Sequence, residues 1–127
     1  MQPKLVKQHY VEYVPGRYNG VNGSGWKPIN DYVLVLPDQI SSKSSGGVEL
    51  PEDLADRMQA AAITGTVIDM GGDAFSWNSD RTRPFGGEKP KPGTRVVFEK
   101  YAGKVILGKD GETYRILDDK AIGGIQA

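Results

Sequence analysis

Nucleophilic catalysis needs a hydroxyl or thiol, a base to take its proton and a group that orients the base. Hydroxyls are plentiful in one stretch, at Ser41, Ser42, Ser44 and Ser45. No base accompanies them. The chain has one histidine, His9, in an N-terminal stretch that offers it no partner of fixed spacing, and it reads as a surface residue. A backbone as rich in Ser and Gly as 41–47 has nothing to hold an oxyanion hole rigid. The acids Glu52, Asp53 and Asp56 have the types for a metal or acid–base site, but they fit a helix N-terminus more simply, where acids complement the helix dipole. Asp118 and Asp119 are adjacent, so on a strand they point to opposite faces, and a turn or cap accounts for them better. Gly46-Gly47 and Gly71-Gly72 lack the following Lys-Ser/Thr or the dinucleotide spacing that a phosphate cradle requires. There is no cysteine, hence no thiolate metal site and no disulfide. The chain does not read as an enzyme.

Single-stranded nucleic acid would need exposed aromatics beside a basic groove. Trp77, Arg81, Arg83 and Phe85 lie close together and are the only such signal. Lys+Arg and Asp+Glu are both 16, for a net charge of zero, which weighs toward the plainer reading of a long loop packed on its own aromatics. A different feature is the stretch "SSKSSGGVEL", 41–50. In an extended conformation Val48 and Leu50 share one face and Glu49 takes the other. The plainer reading makes them the start of the next core strand, and composition alone ranks it first; the other makes them a hydrophobic hook on a leash.

The elements that must position these residues are short. The chain has 127 residues, enough for one domain with a modest core. "DYVLVL" (31–36) is a strand ended by Pro37. "PEDLADRM" (51–58) is a helical turn with Leu54 and Met58 spaced i, i+4. "AAITGTVIDMG" (61–71) is a strand, followed by a polar insertion over 72–94 that holds Phe75, Trp77 and Phe85. "TRVVFEKYAG" (94–103) and "KVILG" (104–108) read as a strand pair or one kinked strand. Asp110-Gly111 is the strongest hairpin signal. Short strands at regular spacing predict a small all-β barrel or sandwich. Residues 1–26 stand apart: "KLVKQHYVEYV" would need an edge to pair with, and "GRYNGVNGSGW" has the composition of a linker. No apolar run reaches membrane-spanning length and no signal core is present, so a cytoplasmic protein is expected.

"KPINDYVLVLPDQISSKSSGGVELPED" resembles the opening of the GroES (chaperonin-10) co-chaperonins: a strand, a polar loop with K-S/T-x-G-G, then an apolar-x-Leu tripeptide. "GTVIDMGGDAF" and "KPGTRVVFEKYAGKVILGKDGETYRILDDKAIGGIQA" are similar to that family's later strands, so the resemblance runs from 27 to 127. Thr94 stands where the family usually has Asp, and Glu49 interrupts a tripeptide that is usually apolar. The region 72–91 diverges, and such divergence fits a virus-encoded member.

The resemblance implies a heptamer of small GroES-like β-barrels that caps an ATP-bound GroEL-type chaperonin ring and assists folding. Each subunit would carry a mobile loop at about 38–51 and a roof hairpin insertion at about 72–91, preceded by an N-terminal extension, 1–26. Val48 and Leu50 would enter an apolar groove of the chaperonin, with Gly46 and Gly47 letting the backbone turn and Glu49 facing away. Lys27, Pro28 and Ile29 would join a neighbouring subunit's Ile122 and Ile125. No cofactor is implied, ATP being the partner's, and neither a membrane nor nucleic acid is expected as a partner. The zinc alcohol dehydrogenases that share the fold need Cys and His ligands that this chain lacks. The alternative function is a β-barrel module that binds single-stranded nucleic acid through residues 75–85.

Overall fold

A computed structural model describes residues 13–40, 52, 57–59 and 61–127. Its strands are β1 (Tyr13–Val14), β2 (Tyr32–Pro37), β3 (Gln39–Ile40), β4 (Thr64–Met70), β5 (Arg95–Phe98), β6 (Lys104–Leu107), β7 (Thr113–Asp118) and β8 (Ile122–Ile125). Six of them form one antiparallel sheet in the order β6-β7-β2-β4-β5-β8, and β1 pairs with β3 in a separate ribbon. The all-β expectation holds. Glu52 and residues 57–59 are helical, as the 51–58 stretch predicted where it is described.

Central position explains why β2 is apolar without a break. Val33 and Val35 pack into one cluster with Val67, Phe75, Val96, Phe98 and Leu117. Leu34 and Leu36 face the other way, against Ile68 and Tyr114. A strand covered on both faces has no use for alternation. A bulge opposite Leu34/Val35 sets Ile68 as an extra residue of β4 and turns it toward the second cluster.

β6 and β7 form the hairpin that Asp110-Gly111 announced. Asp110 accepts from the Glu112 amide at 3.0 Å and from the Tyr114 hydroxyl at 2.5 Å, a side-chain turn lock of the kind Asp supplies. The pairing predicted for 94–103 with 104–108 is corrected. β5 pairs with β4 and β8, and β6 lies at the opposite edge of the sheet. The residues between them turn at Tyr101 and Gly103, both at positive φ. The buried Arg115 fastens this turn by donating to the Ala102 carbonyl at 2.7 and 3.1 Å, while its guanidinium lies over Phe98.

The stretch with linker composition is built into the domain. Tyr18 packs against the Leu34–Leu36 cluster. The Ser24 carbonyl accepts from the Lys109 amide at 2.8 Å, and the Trp26 indole donates to the Leu107 carbonyl at 3.0 Å. Its Gly and Asn residues serve turns: Asn22 Oδ1 accepts from both the amide and the hydroxyl of Ser24.

Candidate functional site

The residues expected to dock, Gly46, Gly47, Val48, Glu49 and Leu50, lie outside the described residues. Their approaches are described, and they are built firmly. Asp38, the residue after β2, is buried; its carboxylate accepts from both terminal guanidinium nitrogens of Arg95, at 2.6 and 2.7 Å, and from the Thr64 hydroxyl at 2.6 Å. Burial works to raise the Asp38 carboxyl, but the bonds from Arg95 and Thr64 outweigh it and hold it below the ordinary carboxylate value. Gln59 joins the two sides of the segment. Its Oε1 accepts from the Ile40 amide at 3.0 Å and its Nε2 donates to the Asp38 carbonyl at 2.8 Å. No sequence signal pointed to Arg95 or Gln59, because their partners are distant in the chain.

At the other end of the molecule Asp31, Asp118 and Asp119 bring carboxylate oxygens within 4.8 Å of one another. Among the described residues this is the one acidic group close enough to share a cation, and its charges are already met by the protein. Arg81 pairs with Asp31 and reaches Asp118 at 3.6 Å; Lys120 pairs with Asp119 at 2.8 Å. Asp119 also accepts from the Phe75 amide at 2.8 Å. Burial pushes against its ionisation, yet the Lys120 and Phe75 bonds hold the Asp119 carboxyl below its usual value, whereas burial and the neighbouring acids raise that of Asp118. Asp118 caps the short 3₁₀ turn Asp119–Ala121, the capping role expected of this pair. The cluster ties the insertion to the sheet.

That insertion returns on itself as a small hairpin. Phe85 donates to the Ser76 carbonyl at 3.0 Å, Asn78 to the Arg83 carbonyl at 2.8 Å, and Trp77 bridges Pro84. Phe75 is buried and meets Phe85 edge-on at 5.7 Å. Within the aromatic–basic cluster Phe75 is in the core, Phe85 packs against it and Arg81 is held by Asp31, while Trp77 stays exposed.

Beside the insertion runs β8, an edge strand with β5 on one side and no described strand on the other. A cleft of about 490 Å³ opens there, lined by Trp77, Phe85, Ile122, Gly123 and Ile125 among others. Ile122 and Ile125 are half-buried, Lys27 is exposed and Pro28 buried, and Ile29 is 67% exposed. The structure thus brings Ile122 and Ile125 together on one edge, and leaves Ile29 exposed. Among the described residues there is no histidine or cysteine beside a hydroxyl, and the candidate surfaces are apolar edges and a braced pair of loop roots.

Comparison with known proteins agrees in one direction. A family model described as Chaperonin 10 Kd subunit matches residues 26–126. The chain is 31% identical over 96 residues to the co-chaperonin GroES of Bacillus sp. (strain PS3), covering 76% of this chain and 93% of that protein. It is 33% identical over 91 residues to the co-chaperonin GroES of Treponema denticola, covering 72% and 85%. It is also 31% identical over 94 residues to the chloroplastic 20 kDa chaperonin of Spinacia oleracea, covering 72% of this chain but 32% of that longer protein.

Proposed function

The chain belongs to the chaperonin 10 family, and from that premise we propose that it is a non-catalytic co-chaperonin that caps a GroEL-type chaperonin ring in the cytoplasm and assists protein folding. The observation that carries this reading is the family match across 26–126, which takes in the whole six-stranded sheet. Residues 46–50 make the contact: Val48 and Leu50 enter an apolar groove of the chaperonin, Gly46 and Gly47 permit the turn, and Glu49 stays in water. Burying the two side chains returns about 1.5–3 kcal/mol each, while fixing each residue of the segment costs about 1–2 kcal/mol. One segment alone binds weakly, and several on one ring bind together through effective concentration. Release then follows when the chaperonin changes state. ATP belongs to the partner.

The ring is a heptamer. Its joint sets Lys27, Pro28 and Ile29 of one subunit along the free edge of the next subunit's β8, with Ile29 entering the cleft beside Ile122 and Ile125. The exposure of Ile29 and the unpaired side of β8 support this joint.

The test is native mass, measured for the protein alone and with a GroEL-type chaperonin plus ATP. A seven-subunit species that joins the chaperonin only with nucleotide is expected. The double variant Val48→Asp, Leu50→Asp should keep the ring and lose the complex. A variant that still joins the chaperonin would remove residues 46–50 from the contact.

A further inference from the structure

The family match begins at residue 26, yet the chain before it touches both roots of the segment 41–51. β1 pairs with β3 on the entering side, Tyr13 opposite Ile40 and Val14 opposite Gln39. The Tyr13 hydroxyl donates to the Met58 carbonyl on the leaving side at 2.6 Å. Those two roots are themselves joined by Gln59, through Ile40 and Asp38. Behind the contact, the chain is pressed onto the core. A Cβ added to Gly16 would stand 2.7 Å from a methyl carbon of Leu36, a side chain with 1% exposure. Further on, Tyr18, Ser24 and Trp26 anchor the same stretch to the second core cluster and to the β6–β7 hairpin.

We propose that residues 13–18 are a strap that fixes the two roots of the 41–51 segment and thereby raises the affinity of the subunit for its chaperonin. The second half of this proposal rests on the function proposed above; the first half rests on geometry alone. The physical reason is preorganisation. A segment whose ends are already held in place loses less freedom on binding than one whose ends must also be ordered. The gain is small in each subunit and is multiplied when several segments of one ring bind together. Tyr13 is then a positioning residue, acting through Met58 and Ile40 without touching the chaperonin.

Two variants of the full chain test this. Tyr13→Phe keeps the ring and removes one hydrogen bond. Gly16→Val wedges the strap away from Leu36. Hydrogen exchange at the Ile40 amide reads the order of the root, and competition for a GroEL-type ring with ATP reads affinity, with Val48→Asp, Leu50→Asp as the reference for lost docking. Exchange at Ile40 should speed by about 3–10-fold in Tyr13→Phe, the worth of one such bond, and capping should weaken by at least that factor. If Gly16→Val does not fold, Tyr13→Phe decides alone. Unchanged exchange in Tyr13→Phe overturns the strap. Faster exchange with unchanged capping, while the docking variant fails to cap, overturns its effect on affinity and leaves the proposed function standing. If the wild-type protein caps nothing, the proposed function and the affinity effect fall together, and exchange still judges the strap.

Discussion

Asp38 ties three distant parts of the chain together, through Arg95, Thr64 and Gln59. It sits where β2 hands over to the root of the segment 41–51, buried, with two bonds to Arg95 and one to Thr64. Removing one member of such a pair strands the other without a countercharge. Arg95 keeps 29% of its side-chain surface in water, so part of that penalty is relieved by solvent. Asp38→Asn should cost about 2–3 kcal/mol, measured by urea unfolding at neutral pH. The carboxyl is lowered in the folded chain, so its stabilisation is complete above its ordinary value of 3.8 and is lost as pH falls through the folded value. Asp119 has the same sign; Asp118, raised, has the opposite one, contributing below its ordinary value and losing that contribution as pH rises. Wild-type stability should therefore fall on acidification toward pH about 3, and Asp38→Asn should show a shallower fall. Equal slopes would assign the acid sensitivity to other groups.

At the scale of elements, the insertion shows what holds a long polar segment in place. It leaves β4 at Gly71, whose amide donates to the Tyr32 carbonyl at 2.9 Å. A Cβ at Gly71 would lie 2.2 Å from the Asn30 carbonyl oxygen and 2.5 Å from the Ile29 carbonyl carbon. Those are backbone atoms that cannot swing aside. Gly71→Ala should cost about 2 kcal/mol and lower Tm by about 5–10 °C; a Tm within a degree of wild type would mean that the 29–30 turn yields freely. Phe75, four residues on, holds a left-handed backbone at φ 58°, fixed by its bond to Asp119 and by its buried ring.

What was readable at this scale depended on how local the cause was. "DYVLVL" was legible because burial on both faces leaves a continuous apolar run. Asp110-Gly111 was legible because a two-sided turn is specified by its own residues. The insertion's hairpin came from family likeness, and its anchors, Arg81 to Asp31 and Phe75 to Asp119, join residues more than forty positions apart with no trace in spacing. The partners of β5 and β6 were misread for the same reason: adjacency in the chain suggested a pair, and the sheet order separated them. Residues 16–26 looked like a linker because the Gly and Asn that permit free coil also permit tight packed turns. Of the candidate site, the docking role of the tripeptide at 48–50 came from the family resemblance and lies outside the described residues, whereas the bracing by Gln59, Arg95 and Tyr13 had no signal in the sequence.

For the whole molecule, the question is what the free edge of β8 is for. Four residues, Ile-Gly-Gly-Ile, end a sheet with no described strand on one side and an apolar cleft beside it. Short edges protect against unwanted pairing, but Ile122 and Ile125 supply apolar surface that an edge left in water does not need. Gly123 lets the proposed assembly be tested apart from folding. It is exposed, its backbone is not left-handed, and an added Cβ there meets nothing within 4 Å. Gly123→Glu should therefore leave the unfolding free energy of the isolated subunit within about 0.5 kcal/mol of wild type. In the proposed ring the same carboxylate would lie in the cleft that receives the neighbour's Ile29, where an unpaired charge is costly to bury. Native mass should then shift from ring to monomer, and capping of the chaperonin should fall with it because the docking segments no longer act together. A ring that survives Gly123→Glu intact would place the joint on another face, and the exposed Ile29 would then need a different partner.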